Sequence, residues 1–181
     1  MQYNDIKTPQ ELYLFMKKNI KYGFISKIDN KAYKRDELND DEFYDYMIHH
    51  GYYLQTPEEL LKSGYGLCLD QVELERDWFE RHGYKVYTYH SNYHNHTFLI
   101  YNEEDAYYLF DRSFYIFNGI HKANSLEECL DLYIGLQKNN LKEPTKEIVL
   151  TPYEKIEFGQ GFTEIIKHFK EELKDKIVFK L

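Results

Sequence analysis

The chain has 181 residues, 43% of them hydrophobic, enough to bury a sizeable core within one domain. Its 23 basic and 31 acidic residues leave a net charge of −8, which excludes the basic footprint of a nucleic-acid binder or of a protein drawn to anionic membranes. No apolar run approaches a membrane span, Met1 to Asp5 lacks the basic start of a signal peptide, and two cysteines suit a reducing compartment, so a cytoplasmic protein is expected.

In chain order, Thr8-Pro9-Gln10-Glu11 combines a capping box with proline at the first helical position and starts a helix running to about Ile20. Leu12, Phe15, Met16 and Ile20 give it one apolar face. Gly23 to Asp40 is polar and irregular and reads as a mobile loop. Asn39 to Glu42 caps a second helix through His50, ended by Gly51, and Thr56-Pro57-Glu58-Glu59 caps a third. From Leu67 to His82 the residues favour a helix, with Gly83 suited to the left-handed position after it. Strand-like runs follow at Tyr84 to His90, His96 to Tyr101 and Ala106 to Asp111. Phe114 to Asn118 extends the sheet in this reading. Ser125 and Glu128 form a capping box for a helix to Lys138, with Cys129 in its core face. Lys142-Glu143-Pro144 is a connection, Ile148 to Leu150 a short strand, Phe162 to Lys174 a helix, and Lys176 to Phe179 a final strand. The whole of 1–181 is thus expected to be one α+β domain: a helical part over about 8–63, a core over about 64–118, and a C-terminal helix with extended segments over 119–181.

Three residues in the middle stand out. Cys68, in Ser63-Gly64-Tyr65-Gly66-Leu67-Cys68-Leu69-Asp70, falls in the first turn of its helix. There the unpaired N–H groups and the positive end of the helix dipole favour a thiolate and offer donors to an oxyanion. Gly66 reads as room for a substrate backbone. A hairpin closed symmetrically about Glu103 and Glu104 sets His96 opposite Asp111, with Cβ atoms within about 5.5 Å, close enough for a carboxylate to orient an imidazole. Nucleophile, base and orienter follow in that order.

Gly66-x-Cys68-x-Asp70 opening a helix, His96 on a strand, and Asp111 ending the next strand in Leu109-Phe110-Asp111-Arg112-Ser113 resemble the transglutaminase-like superfamily of Cys-His-Asp enzymes. The likeness covers roughly residues 56 to 115. It implies a cysteine-bearing helix packed on an antiparallel sheet that carries His and Asp, a distant relative of papain-like proteases. Members include transglutaminases, peptidases, glycan-removing amidases and inactive domains, so the reaction stays open at this point. Relatives of papain place an amide near the nucleophile, which makes Gln55 a candidate oxyanion donor. This chain departs from many members in following His96 with Thr97-Phe98-Leu99 rather than an aromatic.

The expected activity is acyl transfer through a thioester on a peptide or protein amide, as a peptidase or amidase, or as a transglutaminase if an amine replaces water. That chemistry needs no cofactor. Two alternatives remain: an inactive module that binds peptides, and a metal hydrolase using His90, His94 and His96 with Asp111 as fourth ligand. Tyrosine is abundant, 19 residues against one Trp. Most are expected at the core boundary, while Tyr52, Tyr53 and Tyr65, just before Cys68, are candidates for a substrate groove.

Overall fold

The computed structural model describes residues 2–140 and 145–181; the expected connection Lys142-Glu143-Pro144 lies outside the described residues. Helix α1 (Pro9–Asn19) starts where its cap requires, with Thr8 Oγ1 accepting the Glu11 N–H and the Glu11 carboxylate accepting the Thr8 N–H. The expected loop over 23–40 is instead mostly a hairpin of β1 (Lys21–Ile25) and β2 (Ala32–Lys34), turning through Asn30 at φ +57°. Its charges crowd the turn and the residues after β2, while Phe24 is fully buried and stacks on Tyr33 at 5.2 Å. A three-residue strand is too short to show a period.

Helices α2 (Asp40–His49) and α3 (Pro57–Ser63) carry the reciprocal caps read from Asn39/Glu42 and Thr56/Glu59. The short β3 (Tyr65–Gly66) then lies parallel to β1, with Tyr22 beside Gly66, and leads directly into α4 (Cys68–Arg81). Gly83 ends α4 at φ +81°.

The main sheet comprises β4 (Lys85–Ser91), β5 (His96–Glu103), β6 (Ala106–Asp111), β7 (Gly119–Ala123), β8 (Glu147–Tyr153) and β9 (Ile177–Lys180). Its spatial order is β7-β6-β5-β4-β8-β9, antiparallel throughout. Between the strands lie α5 (Leu126–Lys138) and α6 (Phe162–Lys167), the latter continued by one wider turn to Glu172. Strand alternation divides the core. Leu99, Tyr101 and Phe110 face α4 with Trp78 and Phe79, whereas Phe98, Ile100 and Leu109 face α5 with Cys129 and Tyr133.

Two local expectations are corrected. Residues 114–118 form turns rather than strand, because the Asp111 carboxylate captures the N–H groups of Ser113 and Phe114 and winds the chain back. β7 begins only at Gly119. Ser125 does cap α5, but Glu128 reaches the backbone and side-chain amides of Asn124, so the box is not reciprocal.

Candidate active site

Asp70 organises the turn that presents Cys68. One carboxylate oxygen accepts the Leu67 N–H at 2.8 Å and the Tyr52 hydroxyl at 3.2 Å, and the other accepts the Gln55 N–H at 2.9 Å. Burial raises its pKa to about 7 against these donors. Gly66 serves this packing. A Cβ there would meet Leu60 Cδ1 at 2.6 Å and Asp70 Cβ at 2.9 Å, so glycine lets α3 and α4 close on each other.

His96 and Asp111 meet, but in a different register from the symmetric hairpin. The turn is Glu104-Asp105, with Glu104 at φ +53°, and Leu99 pairs with Phe110. Carried one step further, that register sets Asp111 level with Phe98. The slip from the expected pairing is two residues, which preserves the face, and the side chains close the diagonal. His96 Nε2 lies 2.5 Å from Asp111 Oδ2. Asp111 Oδ1 is held by the N–H groups of Ser113 and Phe114, and Phe114 stacks on the imidazole at 4.8 Å. His96 is only 2% exposed.

With Nε2 bound to the carboxylate, Nδ1 is the ring nitrogen left for Cys68, whose thiol interacts with the imidazole. The tight β4–β5 connection brings the cysteine its neighbours. His94 and Asn95 both adopt left-handed backbone, at φ +62° and +46°, and the Asn95 carbonyl stands 3.9 Å from Cys68 Sγ. Burial pushes the His96 pKa down, but the charge and hydrogen bond of Asp111, helped by Cys68, carry it up to about 10. Burial likewise raises the thiol pKa, yet His96 and Thr97 pull Cys68 below its ordinary value. Both shifts favour a thiolate facing an imidazolium. Cys129 differs: desolvation in the α5 face of the core pushes it up to about 11.

Cys68 and His96 line a cleft of about 700 Å³. Its walls are mostly aromatic, with Phe43 and Tyr44 from α2, Tyr22 from β1, Tyr93 from the β4–β5 connection, Phe114 and Tyr115 after β6, and Phe162 at the start of α6. Arg35 also lines it.

Other candidates fall elsewhere. The Gln55 side-chain amide donates to the Tyr65 carbonyl and accepts from Ser63, and Gln55 does not line the cleft. Tyr53 lies beneath Lys27 and bridges to Gly161, Tyr52 is engaged by Asp70, and Tyr65 is outside the cleft. The three histidines diverge. His90 pairs with Thr97, which puts it on the sheet face opposite His96, where it stacks on Phe169 at 4.2 Å. His94 packs on Tyr93 and Phe114 in the connection, and among the described residues no group of three or more His, Cys, Asp or Glu could hold a metal ion. Tyr22, Asn95 and Phe114 escaped the sequence reading. Asp70 carried a local signal, an acid three residues after the helix cap; Tyr22 carried none, because it reaches Cys68 only through the β1–β3 pairing.

No curated protein matches the chain. A family model described as a transglutaminase-like domain matches residues 2–126, a span that holds α1 to α4, the strands of the Cys-His-Asp site and the turn behind Asp111. The chain belongs to the transglutaminase-like domain family.

Proposed function

We propose that this protein is a cysteine-dependent acyl-transfer enzyme that cleaves a peptide or protein amide through a thioester intermediate. The observation that carries this reading is the imidazole of His96, anchored at Nε2 by Asp111 and interacting with a thiol whose pKa it lowers. In the proposed cycle the Cys68 thiolate attacks the amide carbonyl, and the C=O electron pair moves onto oxygen, facing the Cys68 N–H at the helix start. Collapse expels the amine, which takes its proton from His96. The neutral imidazole then deprotonates water, which attacks the thioester and frees the acid. A second amine in place of water gives a transglutaminase product.

Turnover of a peptide-amide library tests the reading. Cys68→Ala should abolish amine release, and Cys129→Ala should keep most of it. Wild-type protein that releases no amine, yet retains library peptides equally well after Cys68→Ala, would make the chain a binding module with an idle triad.

A further inference from the structure

Attack on a carbonyl places negative charge on its oxygen, and one backbone N–H is a thin receptacle for it. Resting on the acyl-transfer reading above, we propose that the Tyr22 hydroxyl is the second oxyanion donor, completing the hole with the Cys68 N–H.

The placement is built into the backbone. β1 runs parallel to β3 with Lys21 beside Tyr65 and Tyr22 beside Gly66, so Tyr22 stands level with the residue two before Cys68. The Lys21 N–H donates to the Gly64 carbonyl at 2.8 Å, which fixes this register from the other side. The α1–β1 junction is also tied to the triad, because Arg112, next to Asp111, donates to the carbonyls of Lys17 and Ile20. Tyr22 lines the same cleft as Cys68 and His96, and its hydroxyl interacts with both the thiol and the backbone N–H of Cys68. An oxygen on the carbon bonded to Sγ would therefore come within reach of both groups, taking the place of the Tyr22 oxygen at the Cys68 N–H. Burial, then the charge of Cys68, keeps the phenol protonated well above its ordinary range, so it remains a donor wherever the thiolate works. The amide of Gln55, the alternative donor, donates to the Tyr65 carbonyl at 2.7 Å, and Gln55 does not line the cleft.

In the step concerned, Sγ forms a bond to the carbonyl carbon and the π pair moves to oxygen. Tyr22 O–H and Cys68 N–H donate to that oxygen without losing their protons. When the pair returns, the bond to the leaving group breaks.

Two reagents separate this role from simple support of the thiol. p-Nitrophenyl acetate acylates Cys68 through a tetrahedral oxyanion, whereas iodoacetamide alkylates it by direct displacement at carbon without one. Tyr22→Phe keeps the ring and its packing beside Phe43, and a thermal melt checks the fold. Acylation, read as the p-nitrophenolate burst, should fall by about 10²-fold, while the alkylation rate at Cys68 and its pH profile stay within about twofold of wild type. Equal losses in both reactions, or a loss in neither while wild type is acylated, would overturn the role of Tyr22 alone. A wild type in which Cys68 is neither acylated nor alkylated faster than Cys129 would overturn the enzyme reading and this role with it.

Discussion

His96 Nε2 and Asp111 Oδ2 lie 2.5 Å apart although the two residues are not cross-strand partners. The contact closes a diagonal, and the turn after β6 steers Asp111 by holding its other oxygen. Removing the charge while keeping the shape isolates what that contact does. Asp111→Asn should leave the turn in place and drop the His96 pKa from about 10 toward its ordinary 6.5. The thiol then loses its cationic partner, and each pKa unit it climbs removes about tenfold of thiolate at low pH. Iodoacetamide alkylation at pH 6, resolved by mass spectrometry for Cys68 and Cys129, reads the effect. An unchanged Cys68 rate would show that Asp111 does not tune the pair. In wild type Cys68 should react well below the free-thiol pKa of about 8.5, and Cys129, pushed up to about 11, should not.

The same ion pair makes stability depend on pH. His96 has a folded-state pKa raised above its ordinary value of 6.5 to about 10. Its contribution is therefore complete below pH 6.5 and is lost as pH rises through about 10. The depressed Cys68 thiol has the opposite sign, so Cys68→Ala is the background to use. In that background Tm should fall between pH 7 and 10, and adding Asp111→Asn should flatten the decline. Parallel curves with and without the second substitution would contradict the linkage.

Glu75, two turns along α4 from Cys68, is 1% exposed, and its Oε2 has no hydrogen-bond partner among the described residues. Burial, then the nearby Asp111, raises its pKa well above the usual carboxylate range. A raised folded-state pKa means stability lost as pH climbs past the unfolded value near 4.5. Glu75→Gln removes that loss. The variant should match wild type near pH 4 and exceed it at pH 8, with a gain of about 1 kcal/mol appearing as a Tm rise of about 2–4 °C. Calorimetry at both pH values decides; a variant less stable at pH 8 would mean that the carboxylate is ionised and held.

Gly66→Ala should destabilise by about 1–3 kcal/mol, the range for overpacking a close contact, because the new methyl meets Leu60 and Asp70 inside van der Waals distance. Urea denaturation gives the number. A neutral effect would show that α3 moves aside and that the glycine has another purpose.

Much of this protein is local and could be read locally. The caps at Thr8, Asn39, Thr56 and Ser125 mark helix starts because the bonds they make span only three residues. Leu67 to Gly83 announces α4 and puts Cys68 in its first turn. The alternation in β5 and β6 kept His96 and Asp111 on one face, since a two-residue slip in register leaves strand faces unchanged.

Other features depend on where distant segments meet. The hairpin register was decided by the Glu104-Asp105 turn and by packing on both faces of the sheet, and the end of β6 by the Asp111 carboxylate turning back on its own chain. Gln55 and Gly66 looked like substrate-facing residues until α3, β3 and α4 closed around them. Tyr22 reaches the thiol only through a parallel pairing across more than forty residues, a contact that neighbouring residues do not encode. The sequence determined on which elements Cys68, His96 and Asp111 stand and which faces they occupy, because periodicity and capping act over a few residues. Tertiary structure alone decided which donors surround the thiol, because those contacts arise when separate elements pack.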